Sequence, residues 1–152
     1  MYTLVNNANI DTEKYQQVFD EFFPYAKEKL GFDKDFTVSL ESDPENAKKF
    51  FAGTAHYSPD NNTISIYVDQ RHPKDVLRSV AHELVHHSQN CRGEFDGGIK
   101  TSEGYAQNDP HLSKMEDEAY LVGNRLVRDY EDGKKVKHEK LYEALKKKFI
   151  GE

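Results

Sequence analysis

The apolar positions of this chain fall into blocks with distinct periods. Between Thr12 and Leu30, the residues Tyr15, Val18, Phe19, Phe22, Phe23, Ala26 and Leu30 recur at three- and four-residue steps. That spacing puts them on one face of a helix. Gly31 follows as a stop, because glycine readily takes the left-handed conformation in which helices often end. Pro24 lies inside the block and predicts a kink or break just before it, since proline removes a backbone donor and crowds the preceding turn. Phe36 to Leu40 alternates apolar and polar residues, the mark of a half-buried strand. Asn46 to Phe51 predicts a short helix ended by Gly53.

A hairpin is expected next. Thr54 to Tyr57 and Thr63 to Val68 flank the turn-forming run Pro59-Asp60-Asn61-Asn62. In the second strand Ile64, Ile66 and Val68 share one face, and Thr63, Ser65 and Tyr67 the other. Pro73 suits the first position of a helix reaching about Asn90. Cys91 to Asp109 carries Gly93, Gly97, Gly98 and Gly104 with few aliphatics, which predicts a long loop of the kind that covers a site or stays disordered. Asp109-Pro110 opens a helix to about Tyr130, Asp132-Gly133 closes it, and Val136 to Ile150 makes a last helix. Helices and strands do not alternate regularly, so the expectation is one α+β domain over residues 1–152 with a short antiparallel sheet.

Composition narrows the function classes. The 152 residues are 36% hydrophobic and 32% charged, which is the balance of a globular chain and not of a disordered one. Met1 to Asp20 has no continuous apolar run, against a signal peptide, and no stretch approaches the ~18 apolar residues that a bilayer demands. Cys91 is the single cysteine, so no intrachain disulfide forms and a cytoplasmic setting is expected. A net charge of −6 speaks against wrapping nucleic acid. The lysine run from Lys134 to Lys148 reads as the solvated face of a helix.

The chemistry concentrates at His82-Glu83-Leu84-Val85-His86, an H-E-x-x-H motif inside a predicted helix. Residues four apart stand one turn apart on the same face, so both imidazoles reach one ion. Glu83 is rotated by about 100° from His82 and flanks the metal, where it can take a proton from the attacking water. Val76, Leu77, Val80, Ala81, Leu84 and Val85 form an apolar face, while Asp75, Ser79, His82, His86 and Gln89 line a polar stripe. His87 points away from that stripe, toward a supporting or surface role, and Cys91 reads as a partly buried thiol.

Two histidines need at least one further protein ligand to hold zinc. The pattern H-E-x-x-H-x-x-G-x-x-H is closed, because Gln89 and Arg92 occupy the required Gly and His positions. Downstream, Met115-Glu116-Asp117-Glu118-Ala119-Tyr120-Leu121-Val122-Gly123 offers carboxylates on a helix. Here the chain resembles the gluzincins, zinc peptidases in which a later helix supplies a Glu ligand with a small residue three places on and Gly or Ala seven places on. Glu116 has Ala119 and Gly123 at those offsets, so the resemblance implies Glu116 as third ligand. His111 and Glu118 are the alternatives. The resemblance spans Ile64 to Gly123 and departs at Tyr120, where many members carry an Asp that orients a zinc histidine.

The resemblance implies a small zincin-like fold, Zn2+ as cofactor, and hydrolysis of a peptide or protein substrate with Glu83 as base. His111 and Tyr120, with Tyr105 behind them, are candidate donors to the oxyanion. Thr63 to Val68 is the strand expected at the sheet edge, ready to pair with an extended substrate. Two competing readings stand beside this one. One is a noncatalytic protein using zinc as a staple, and the other a regulator or toxin acting on one dedicated protein.

Overall fold

The computed structural model describes residues 2–43, 55–69, 71–95 and 109–150, with side chains described up to residue 133. Among these residues four strands and three helices follow in the order β1 (Tyr2–Asn6), α1 (Glu13–Leu30), β2 (Phe36–Glu41), β3 (Ala55–Ser58), β4 (Thr63–Tyr67), α2 (Pro73–Cys91) and α3 (Pro110–Ile150). The class is α+β. The sheet order is β1-β2-β4-β3.

The sheet is mixed, which corrects the expectation of an antiparallel one. β1 runs parallel to β2, with Leu4 opposite Val38, and β2 runs parallel to β4, with Leu40 opposite Ile66. Only the predicted hairpin is antiparallel, pairing Tyr57 with Ile64. β4 therefore has neighbours on both sides and is not the edge. Along this flank the edge is β3. Strand β1, which the sequence pattern does not predict, is five residues long and leaves three of them exposed, so it carries little hydrophobic signal.

One core holds these elements together. Val38 and Leu40 of β2 and Ile64 and Ile66 of β4 are fully buried against Phe19, Phe22, Phe23 and Ala26 of α1 and Val76, Val80, Ala81 and Leu84 of α2. Burying one such side chain is worth about 1.5–3 kcal/mol, so the shared face fixes the strand register. Helix α1 continues through Pro24. The buried residues Phe19, Phe22, Phe23 and Ala26 lie on both sides of the proline, and their packing outweighs its cost of about 3 kcal/mol. Gly31 ends the helix as expected, with φ 76° and its N–H donating to the Lys27 carbonyl at 2.8 Å.

Helix α2 begins at Pro73, and the His72 side chain caps it by accepting from the Lys74 N–H at 3.1 Å. Tyr57 fastens the β3–β4 hairpin to this helix. Its hydroxyl lies 2.8 Å from His87 Nδ1 and receives a hydrogen bond from Asn90 at 3.0 Å. His87 is fully buried and donates from Nε2 to the Lys34 carbonyl at 2.8 Å, so it is a core histidine and not a surface one.

Helix α3 runs unbroken for 41 residues, about 60 Å, past Asp132-Gly133. A turn-forming dipeptide costs about 1 kcal/mol in a helix, too little to stop one with helix formers on both sides. Phe22 stacks on Tyr130 at 5.1 Å and 12°, anchoring α3 to α1. The short helix expected at Asn46 to Phe51 and most of the Gly-rich loop, with Tyr105, lie outside the described residues.

Candidate metal centre

Helix α2 presents His82 and His86 one turn apart, their rings 5.0 Å between centroids and nearly perpendicular at 80°. Helix α3 lays Glu116 across both. Its Oε1 accepts from His82 Nε2 at 2.5 Å and lies 3.4 Å from His86 Nε2. The three donor atoms fall within 4.8 Å of one another, the only such His/Cys/Asp/Glu group among the described residues. Two neutral imidazole nitrogens and one carboxylate oxygen are a donor set that suits zinc. Ligands bound tetrahedrally to zinc stand about 3.3 Å apart. The His86–Glu116 spacing already has that value, whereas the shorter His82–Glu116 hydrogen bond is the contact a cation would open.

Asp109 decides that Glu116 lies inside its helix instead of capping it. The Asp109 side chain accepts from the N–H groups of His111 at 2.9 Å and Leu112 at 3.3 Å, which makes it the cap. Glu116 is then two turns in. Two small residues bring the helices together there. Ala119 is fully buried, and a Cβ on Gly123 would stand 3.0 Å from His82 Cα and 3.1 Å from His82 N. Both are tighter than a Cβ ordinarily keeps, so a methyl group there would press on the His82 backbone.

The other sequence candidates are placed apart from this cluster or beside it. His111 donates from Nε2 to the Glu94 carbonyl at 2.9 Å, tying α3 to the turn after α2. Glu118 pairs with Arg92 at 2.9 Å. Cys91 Sγ lies 3.8 Å from His87 Nε2. Tyr120 sets its ring edge-on to His82 at 4.5 Å while 60% of the residue stays exposed, which puts the residue at the solvent-facing side of His82.

Electrostatics separate the two glutamates. Glu83 is 7% exposed, and burial pushes its pKa up, opposed by the charges of His86 and His82 and reinforced by Glu116. Burial also acts on Glu116, but the hydrogen bonds from His82 and His86 outweigh it and hold that carboxyl far below the usual range. For His86 burial works against charge, and the Glu116 hydrogen bond with the Glu83 and Glu116 charges overcomes it, raising the pKa. One carboxylate is a fixed anion gripping imidazoles; its neighbour is a reluctant one, able to accept and return a proton.

Two residues support the cluster through contacts that the sequence pattern does not specify, Phe95 and the Gln89 of the polar stripe. Phe95 is 7% exposed and covers His86 at 6.1 Å. Gln89 is fully buried, with Oε1 2.8 Å from His86 Nδ1 and Nε2 donating to the Met115 carbonyl at 2.9 Å. A polar residue three places after a ligand histidine was the available signal for Gln89. For Phe95 there was none.

Compared with protein-family models, with curated proteins and with solved structures, the chain matches nothing at a significant level.

Proposed function

We propose that this protein is a zinc-dependent peptidase of gluzincin type, with His82, His86 and Glu116 as the metal ligands and Glu83 as the general base. The observation that carries the proposal is the convergence of two α2 imidazoles and one α3 carboxylate within 4.8 Å, with the buried Glu83 next to them. When bound, zinc would polarise the scissile carbonyl and acidify the attacking water. Glu83 takes the water's proton and passes it to the leaving amine, a cycle that suits a carboxyl whose pKa burial has raised. Tyr120, beside His82 and open to solvent, is the donor for the oxyanion.

An extended peptide would bind along the outer edge of β3, which carries no further strand among the described residues. Main-chain pairing of that kind accepts many sequences, as a peptidase requires. A site that served only as a staple would have no use for a buried carboxyl in the position of Glu83, and burying it without function would cost stability. The same residue is equally expected in a regulator or toxin that cleaves one dedicated protein.

Digestion of a peptide library, read by mass spectrometry with and without chelator, tests the activity. Glu83→Gln should keep its zinc and lose cleavage by at least 100-fold. A library left intact by the zinc-loaded protein would rule out a general peptidase, and appreciable cleavage by Glu83→Gln would remove Glu83 as the base.

A further inference from the structure

We infer that Gln89 is a positioning residue that presets two of the three donors at once, the His86 nitrogen and the Glu116 carboxylate, before any cation arrives. The inference rests on the metal-site reading given above and adds to it the part that holds the ligands in place.

The orientation of the Gln89 amide follows from its partners. One end faces the Met115 carbonyl at 2.9 Å. A backbone carbonyl only accepts, so the NH2 must point there. The amide oxygen then faces His86 Nδ1 at 2.8 Å. An amide oxygen only accepts too, so His86 Nδ1 carries hydrogen whether the ring is charged or neutral. In the neutral ring the bare nitrogen is therefore Nε2, the atom turned toward Glu116. A fixed carbonyl on α3 thus selects the tautomer of an imidazole on α2.

The second half of the inference is mechanical. Met115 is the residue before Glu116 and is itself buried. The Gln89 hydrogen bond to its carbonyl pins the α3 backbone one residue from the carboxylate ligand. Gln89 is fully buried, so losing either partner would strand a polar group without water to replace it. Both hydrogen bonds are kept only while α2 and α3 hold their present separation. This is the separation set on the other side of His82 by the bare backbone of Gly123. Outer partners of metal-bound histidines usually fix one ring each. Here one side chain fixes a ring and the neighbouring helix together.

Zinc competition titrations against a chromophoric chelator test this on wild type, Gln89→Met and Gln89→Glu. They are joined by nitrogen NMR of the His86 ring in metal-free protein, at a pH where the imidazoles are neutral. Gln89→Met keeps the volume and removes both hydrogen bonds. Its zinc affinity should fall about 10–100-fold, and its His86 ring should become a mixture of tautomers. Gln89→Glu keeps an acceptor toward His86, so it should hold the Nδ1–H tautomer and recover part of the affinity. If Gln89→Met fails to fold, Gln89→Asn replaces it, since the amide is then one methylene too short to reach both partners, and the same loss is expected.

Wild-type zinc binding matched within twofold by the folded Met or Asn variant, with an unchanged tautomer, would overturn the inference and leave the metal site standing. Wild type that takes up no zinc would overturn the metal-site reading, and the inference with it.

Discussion

Gly123 on α3 lies directly against the backbone of His82 on α2: a Cβ there would meet His82 Cα at 3.0 Å, His82 N at 3.1 Å and the Ala81 carbonyl carbon at 3.3 Å. Backbone atoms cannot rotate away as a side chain can, so the helices would have to separate by a few tenths of an ångström. That movement would draw Glu116 off the imidazoles. Gly123→Ala gains up to about 1 kcal/mol of helix propensity. Overpacking typically costs about 1–3 kcal/mol, so the net effect should be a loss of roughly 1 kcal/mol in metal-free protein, together with weaker zinc binding. Gly133 is the control, because a Cβ there meets nothing within 4 Å. Gly133→Ala should stabilise the helix by up to about 1 kcal/mol and leave zinc binding alone. Denaturant titration of both variants checks the contrast, and a stabilised Gly123→Ala would mean that the helices tolerate the methyl group.

The ligand assignment is tested by three single substitutions compared side by side. Glu116→Ala removes the only carboxylate in the cluster and should weaken zinc binding by on the order of 100-fold or more, beyond what loss of a supporting group does. Glu118→Ala breaks a partly exposed pair with Arg92 and should change stability by at most ~1 kcal/mol, with zinc retained. His111→Ala loses one hydrogen bond to the Glu94 carbonyl and should also keep its zinc. Metal analysis after dialysis against a weak chelator separates them. Tight zinc in Glu116→Ala, or loss of zinc from His111→Ala, would reassign the third position.

His87 shows how close a structural histidine can lie to chemical ones. It is fully buried, packs edge-on to Phe32 at 5.2 Å and to Tyr57 at 5.6 Å, and spends both ring nitrogens on hydrogen bonds. Burial lowers its pKa, keeping the ring neutral. His87→Leu fills the space but leaves the Lys34 carbonyl without its donor, while the Tyr57 hydroxyl turns its hydrogen to the Asn62 oxygen 3.1 Å away. A loss of about 1–3 kcal/mol is expected for that one stranded group. Zinc stoichiometry should not change. Thermal unfolding with unchanged midpoint would show that those hydrogen bonds are easily replaced.

Much of this was legible because it is local. The i, i+4 step of His82 and His86, the Pro73 start, the hairpin turn at Pro59 to Asn62 and the small residues at 119 and 123 are all encoded within a few positions of one another. What the sequence could not reveal depends on partners far along the chain. The place of β4 inside the sheet is decided by its pairing with β2, where Thr37 meets Thr63 across 26 positions. Gln89 finds Met115 across 26 positions, and no periodicity announces that contact. Pro24 and Asp132-Gly133 gave local signals for breaks that did not occur, since packing and helix propagation on both sides outweighed them. Tyr120, by contrast, stands where the resemblance would have an Asp, and its ring meets the His82 ring edge-on.

Tyr57 supplies a pH dependence that the metal ligands do not confound. Its hydroxyl joins β3 to α2, donating to the bare His87 Nδ1 and accepting from Asn90, with the Asn62 amide oxygen 3.1 Å away as a second acceptor for the same hydrogen. Burial, opposed by the Asn90 hydrogen bond, pushes its pKa up to about 12 from the usual 10. A phenol whose folded pKa is raised favours the protonated state on folding. Its contribution is therefore complete below pH 10, where both states are neutral. Between about pH 10 and 12 the unfolded chain ionises and the folded one resists, so that contribution is progressively lost. Tyr57→Phe should be less stable than wild type at neutral pH by about 1–3 kcal/mol, because it strands the buried His87 Nδ1, while the Asn90 amide keeps the Pro59 carbonyl and the Asn62 oxygen, each at 3.1 Å. It has no phenol to ionise at this position, so the gap between the two proteins should narrow as pH rises through that window. Tyr2 and Tyr15, whose pKa values are also raised, are common to both chains and cancel in the difference. Denaturant midpoints of the two proteins, followed across the alkaline range, give the measurement; a gap that stays constant from neutral pH to 12 would place the Tyr57 hydroxyl in contact with water.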